Sequence, residues 1–158
     1  MSESLRNVKK EIRILALDVC NPNITIGAIV RGGLYLDGVL TFSRKLSVVE
    51  LAREVTASKY FPELRVIMVH DPKHRLNSQV IRRVTAMPLI QVPLGLKTEV
   101  RNRETSENQS SRDWKEIGLD PSTLRKIVAL TLVRGTLPEP ARIAHLLAKL
   151  HPWKLSER

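Results

Sequence analysis

Residues 12–19, IRILALDV, are a run of aliphatic and β-branched side chains that closes on the acid Asp18. A run with no polar alternation predicts a central strand covered on both faces. Residues 64–70, LRVIMVH, have the same character and lead directly into Asp71. Between the two, CNPN (20–23) reads as a turn, ITIGAIVR (24–31) as a second strand, GG (32–33) as a tight hairpin turn and LYLDGVLTFS (34–43) as a third strand. The chain therefore opens as a three-strand meander.

The next stretch, SVVELAREVTASKY from Ser47, carries apolar residues at helical spacing, and Ser47 with Glu50 forms a capping box. HRLNSQVIRRVTA (74–86) predicts a shorter helix with Leu76, Val80, Ile81 and Val84 on one side, and PLIQVP (88–93) a brief strand. Residues 96–114 are polar, charged and balanced in sign, which predicts a mobile loop. WKEIGL reads as a short strand. DPSTLRKIVALTLVRG then predicts a helix with Asp120 as N-cap, Pro121 at its first position and Gly135 as stop. The last helix opens in LPEPARIAHLLAKL, with its prolines confined to the first turn.

This order describes a single α/β domain spanning 1–158, a mixed sheet with helices on both faces. A right-handed crossover places strand 64–70 parallel to and beside strand 12–19. Ligands of such sheets gather beyond the carboxyl ends of the strands, where Asp18 and Asp71 would meet. That is the geometric case for a shared metal site. Against it, Asp18 can simply bond local turn amides, and Asp71 before Pro72 reads as an N-cap.

Bulk properties narrow the partners. Twenty-six Lys and Arg against sixteen Asp and Glu give a net charge of +10, which favours polyanions, nucleic acid above all. No stretch approaches the length of a membrane span, the N-terminus lacks a signal-peptide core, and the single Cys20 forms no internal disulfide, so a cytoplasmic protein away from membranes is expected. With aromatics at 4%, a base-stacking platform is not expected. The basic set Arg44, Lys45, Lys73, Arg75, Arg82 and Arg83 lies in or after the loops above the strand ends, where it could neutralise phosphates or form a solvated face. His70 and His74 flank Asp71, but two imidazoles with no placed Cys partner fall short of a zinc set and read as surface histidines. Glu139 and Arg142, one turn apart, read as a structural pair.

Two segments carry a family resemblance. GGLYLDGVLTF (32–42) resembles the Tyr-x-x-Gly-x-Leu segment of endonuclease V, with Tyr35 and Gly38 at the matching positions, and is closer still to GGxYLEGVL of the archaeal domain-of-unknown-function family ninety-nine. RGTLPEPARIAHLLA (134–148), with Pro138, Glu139, Pro140 and Arg142, resembles the ending of that same family. The resemblance implies a ribonuclease H-like fold and, through the endonuclease V relationship, metal-dependent cutting of DNA at deaminated bases such as deoxyuridine, a repair activity. Nucleases of this kind hold Mg²⁺ or Mn²⁺ on three or four carboxylate or histidine ligands.

Carried onto this chain, Asp18 matches the first-strand aspartate. Asp71 matches the fourth-strand one with a register loose by one position, and Tyr35 matches the wedge beside the lesion. The family's glutamate falls near Ser43 or Arg44 and its histidine near Leu119 or Asp120, so the pattern is one ligand short, with Glu116 and Asp120 the acids available as substitutes. Two readings follow. One is a metal-dependent endonuclease using Asp18 and Asp71. The other is a catalytically degenerate, metal-free relative that binds DNA or structured RNA, in a ribonucleoprotein such as a ribosome.

Overall fold

The computed structural model describes residues 8–93, 114–133 and 137–152. The charged segment 96–114, apart from Trp114, lies outside them, as does Gly135. The meander forms as expected: β1 (Arg13–Asp18), β2 (Ile24–Arg31) and β3 (Tyr35–Ser43) pair antiparallel in succession. Strand β4 (Val66–His70) then pairs parallel to β1, β5 (Leu89–Gln91) parallel to β4, and β6 (Lys115–Ile117) antiparallel to β5. The sheet order is β3-β2-β1-β4-β5-β6. This mixed sheet with helices on both faces is consistent with the ribonuclease H-like arrangement.

Helices α1 (Val48–Ala57) and α2 (Ser78–Thr85) cover one face, and α3 (Pro121–Thr131) and α4 (Glu139–Leu150) the other. β1 has no polar alternation because it feeds two cores. Leu15 and Leu17 pack with Leu51, Val55 and Ile81 from α1 and α2, while Ile14 and Ala16 pack with Leu124, Ile127, Ala141 and Ala144 from α3 and α4. Each such fully buried Leu or Ile contributes about 1.5–3 kcal/mol.

Local signals set the helix starts. Ser47 and Glu50 make the reciprocal capping box on α1, and Asp120 accepts from Thr123 N at 2.7 Å at the head of α3. The second helix is shorter than its pattern. Asn77 caps it, and Asp71 instead closes the preceding turn by accepting from Arg75 N and Leu76 N.

The family-like segments have plain packing roles. The Tyr60 ring lies so close over Gly38 that an added Cβ would stand 2.2 Å from its hydroxyl. Pro138 is the N-cap residue of α4 and Pro140 lies in its first turn, where no N–H is missed, and Arg142 Nε donates to Glu139 Oε2 at 2.8 Å. The expected structural pair is therefore present. Among the described residues, no helix is long and apolar enough to cross a membrane.

Candidate functional site

Side-chain parity on β1 and β4 builds the site. Along β1, Ile14 and Ala16 face α4, so the next position of the same parity, Asp18, faces it too. Along β4, Val66 and Met68 face α4, and the next position is His70, which stands opposite Asp18 in the parallel register. Two polar residues thus sit side by side where two apolar strands end. Helix α4 comes close because its contact positions are the small Ala141, Ala144 and Ala148. One residue off that stripe, it brings His145 over the pair.

Asp18 is completely buried, yet three hydrogen bonds serve its carboxylate. The Cys20 amide donates to Oδ1 at 2.9 Å, and Nδ1 of His70 and of His145 approach Oδ2 at 2.7 and 3.0 Å. A carboxylate oxygen only accepts, so each of these Nδ1 atoms carries its proton. The two imidazoles meet edge to face, with centroids 5.0 Å apart. Burial would raise the Asp18 pKa, but the His70 bond, the Cys20 amide and the charges of both histidines outweigh it and hold the acid below its usual value.

The Cys20 thiol stands at the open side, 3.8 Å from His70 Nδ1. Desolvation, followed by the nearby Asp18 and Asp71 carboxylates, pushes it up to about 12. It is therefore a neutral thiol and no ready nucleophile. Asp18, Cys20, His70 and His145 together offer ligand atoms all within 4.8 Å of one another, and this is the group of metal-ligand type found among the described residues. A carboxylate, two imidazoles and a thiol are a fitting donor set for a divalent transition ion.

The residues expected from sequence divide between the two ends of the sheet. Asp18 lies at the centre of the cluster. Asp71 follows His70 just past the end of β4, and its oxygens are taken by the Arg75 and Leu76 amides.

Arg44 and Lys45 follow β3 at the same end as Asp18, and Arg44 Nη1 donates to Val19 O at 2.9 Å. Lys73 and Arg75 line a cleft together with Val19, Cys20 and Asp71. Arg82 and Arg83 do not join them. They occupy the last turn of α2, which runs back from the end of β4 towards the start of β5, and Arg82 Nη1 bonds Ala86 O at 2.8 Å.

Tyr35 is also at the far end. It pairs with Arg31, which pairs with Arg13 at the start of β1, while Asp18 is at that strand's other end. Its ring, 60% exposed, lies under the Arg31 guanidinium at 5.4 Å. His74 is exposed in the turn and is not part of the cluster. Asp120 is occupied at its helix cap, and Glu116 sits on β6, three strands from β1. Sequence reasoning missed Cys20, His145 and Lys149, whose charge acts on the Cys20 thiol. The available signal was that His145 and Lys149 stand four apart, beside the alanine stripe.

Comparisons with known proteins agree with this picture at the level of fold. No protein-family model matches the chain. It is 26% identical over 183 residues to the UPF0215 protein of Methanopyrus kandleri, covering 91% of this chain and 93% of that one. It is 28% identical over 179 residues to the UPF0215 protein of Methanosarcina mazei, covering 90% and 91%. The chain is similar to archaeal UPF0215 proteins. A protein of unknown function from Archaeoglobus fulgidus has a crystal structure that superposes with a TM-score of 0.64 at 21% identity, covering 87% of this chain and 96% of that one. The UPF0215 likeness thus covers about nine-tenths of the chain, and the Archaeoglobus structure shares the fold.

Proposed function

We propose that this protein is a divalent-metal-dependent nuclease of endonuclease V-like type, acting on nucleic acid at deaminated bases. The observation that carries the reading is the convergence of Asp18, His70 and His145 at the carboxyl ends of two parallel strands. His145 on α4 would serve as the third ligand that the motif comparison leaves missing. A divalent ion held there would lower the pKa of a bound water and offset charge on a phosphate. The chain's own part is to fix the donors. The Cys20 amide holds one oxygen of Asp18 and leaves the other facing both imidazoles. Arg44, Lys45, Lys73 and Arg75 border the same end and suit a phosphate backbone.

One observation favours the alternative, a binding protein without catalysis. The three side chains already satisfy one another by hydrogen bonds, as a purely structural buried cluster would. Cleavage of an end-labelled duplex carrying one deoxyuridine separates the two, with Mg²⁺, Mn²⁺, Co²⁺ or Zn²⁺ supplied in turn. Cutting at or beside the lesion is expected, and it should disappear in Asp18→Asn. Retention of the duplex without cutting under every metal would overturn the nuclease and leave the binding protein.

A further inference from the structure

We propose that Cys20 is the fourth ligand of this cluster and that the site selects a borderline-soft divalent ion of the Zn²⁺ class over Mg²⁺ and Mn²⁺. The inference deepens the nuclease reading and rests on the same cluster, but metal binding is measurable without any nucleic acid.

The backbone places the thiol. Cys20 is two residues past Asp18, and its own amide clamps Asp18 Oδ1. The side chain is thereby brought to the rim of the space that Oδ2 and the two Nδ1 atoms enclose. Sγ lies 3.8 Å from His70 Nδ1, and the four donor atoms fall within 4.8 Å of one another.

In a tetrahedral Zn²⁺ site with ordinary bond lengths, neighbouring donors stand about 3.3–3.6 Å apart. The two imidazole-to-carboxylate distances, 2.7 and 3.0 Å, are shorter because protons hold those pairs together. To bind through Nδ1 each imidazole must carry its proton on Nε2, the Nδ1 proton moving there or, from an imidazolium, passing to solvent. Inserting an ion then asks each pair to part by about half an ångström, within the reach of small side-chain rotations. The sulfur has to close by about a quarter of an ångström on His70 Nδ1, and a pair at the 4.8 Å limit by about 1.2 Å.

The donor chemistry decides between metals. Mg²⁺ demands octahedral oxygen and keeps its waters, and this cluster offers it one carboxylate. Two imidazoles and a thiol suit Zn²⁺, Co²⁺ or Fe²⁺. Coordination deprotonates a thiol outright, so Cys20 would enter the site as thiolate and release its proton to solvent. Cys20 is at the open side, which leaves room for a fifth ligand from water or a phosphate oxygen.

Cobalt substitution tests this directly, because Cys20 is the chain's single cysteine and any thiolate-to-cobalt absorption must come from it. The chelator-stripped protein is titrated with Co²⁺ and read by absorption. The expected result is one equivalent bound, with intense visible bands of tetrahedral type and a near-ultraviolet sulfur-to-cobalt band. Stoichiometric Zn²⁺ should bleach both, and a thousandfold excess of Mg²⁺ should not. Cys20→Ser, at an exposed position and checked for unchanged circular dichroism, should lose the near-ultraviolet band and bind Zn²⁺ about 10–100-fold more weakly.

Bound Co²⁺ with no sulfur band in the wild type, or Zn²⁺ affinity unchanged in Cys20→Ser, would remove the thiol from the site and leave the nuclease reading standing on three ligands. Displacement of Co²⁺ by Mg²⁺, or no binding at micromolar Co²⁺, would overturn the metal selectivity itself. A sulfur-ligated ion in a protein that cuts nothing would sink the nuclease while the metal site stood.

Discussion

Asn21 shows how one side chain can hold a site it does not enter. It is buried in the turn after β1, and its Nδ2 donates to Ala148 O at 2.9 Å and to His151 O at 3.3 Å, while Oδ1 accepts from Asn23 N at 2.8 Å. The side chain therefore caps the last turn of α4 and ties it to the strand that carries Asp18. Asn21→Ala should lower stability by about 1–3 kcal/mol in urea unfolding, the cost of a buried carbonyl left unserved. Asn21→Asp should cost more, because it turns an acceptor and a negative charge towards a helix C-terminus. Equal stability of all three proteins would mean that water replaces the amide at no cost.

Residue-scale legibility in the sequence follows the same line. Asp18 was readable because an acid closing an apolar run stands out, although the turn-amide role also expected of it is present, with the Cys20 amide on Oδ1. His70 was hidden by its neighbour: Asp71 is the commoner ligand type, and only the observed register sets His70 opposite Asp18. His145 was missed because its partner lies 127 residues away in the chain: its place beside the alanine stripe was visible, but no local pattern names Asp18 as what it meets.

At the scale of elements, the helix starts were the most legible parts, since capping chemistry is local. Ser47, Pro121 and Asp120 take the positions expected of them. The start of α2 was misjudged because two acceptors compete there: Asp71 closes a turn and Asn77 caps the helix six residues later. The Asp120 cap also makes a pH prediction. Its pKa is lowered, first by the Thr123 amide and then by the Thr123 hydroxyl. A depressed folded-state value means that the stabilisation is complete above the unfolded value of about 3.9 and is lost as pH falls through the folded value below it. Asn also caps helices well but does not titrate. Wild type and Asp120→Asn should therefore keep a constant difference in Tm above about pH 5, and below about pH 4 the wild type should lose ground to the variant. A constant difference down to the lowest pH at which both still fold would show that the cap does not depend on the ionised carboxylate.

For the whole molecule, the sheet has two chemically different ends, and the charge should act from only one of them. Arg44, Lys45, Lys73 and Arg75 stand at the Asp18 end, with Lys149 close to Cys20, whereas Arg82, Arg83 and Tyr35 stand at or near the other. A net charge of +10 alone would attract a polyanion to either end. The nuclease reading requires the backbone to cross the Asp18 end. Each phosphate neutralised contributes about −0.9 to the slope of log K against log salt on duplex DNA. Replacing Lys73 and Arg75 together by Gln should thus make the slope shallower by about 2, and Arg83→Gln should leave it unchanged. Fluorescence anisotropy of a labelled duplex across a salt series reads both slopes. If Arg83→Gln and the double variant changed the slope alike, binding would be diffuse over the basic surface, and the cluster at Asp18 would lose its claim to be where nucleic acid is engaged.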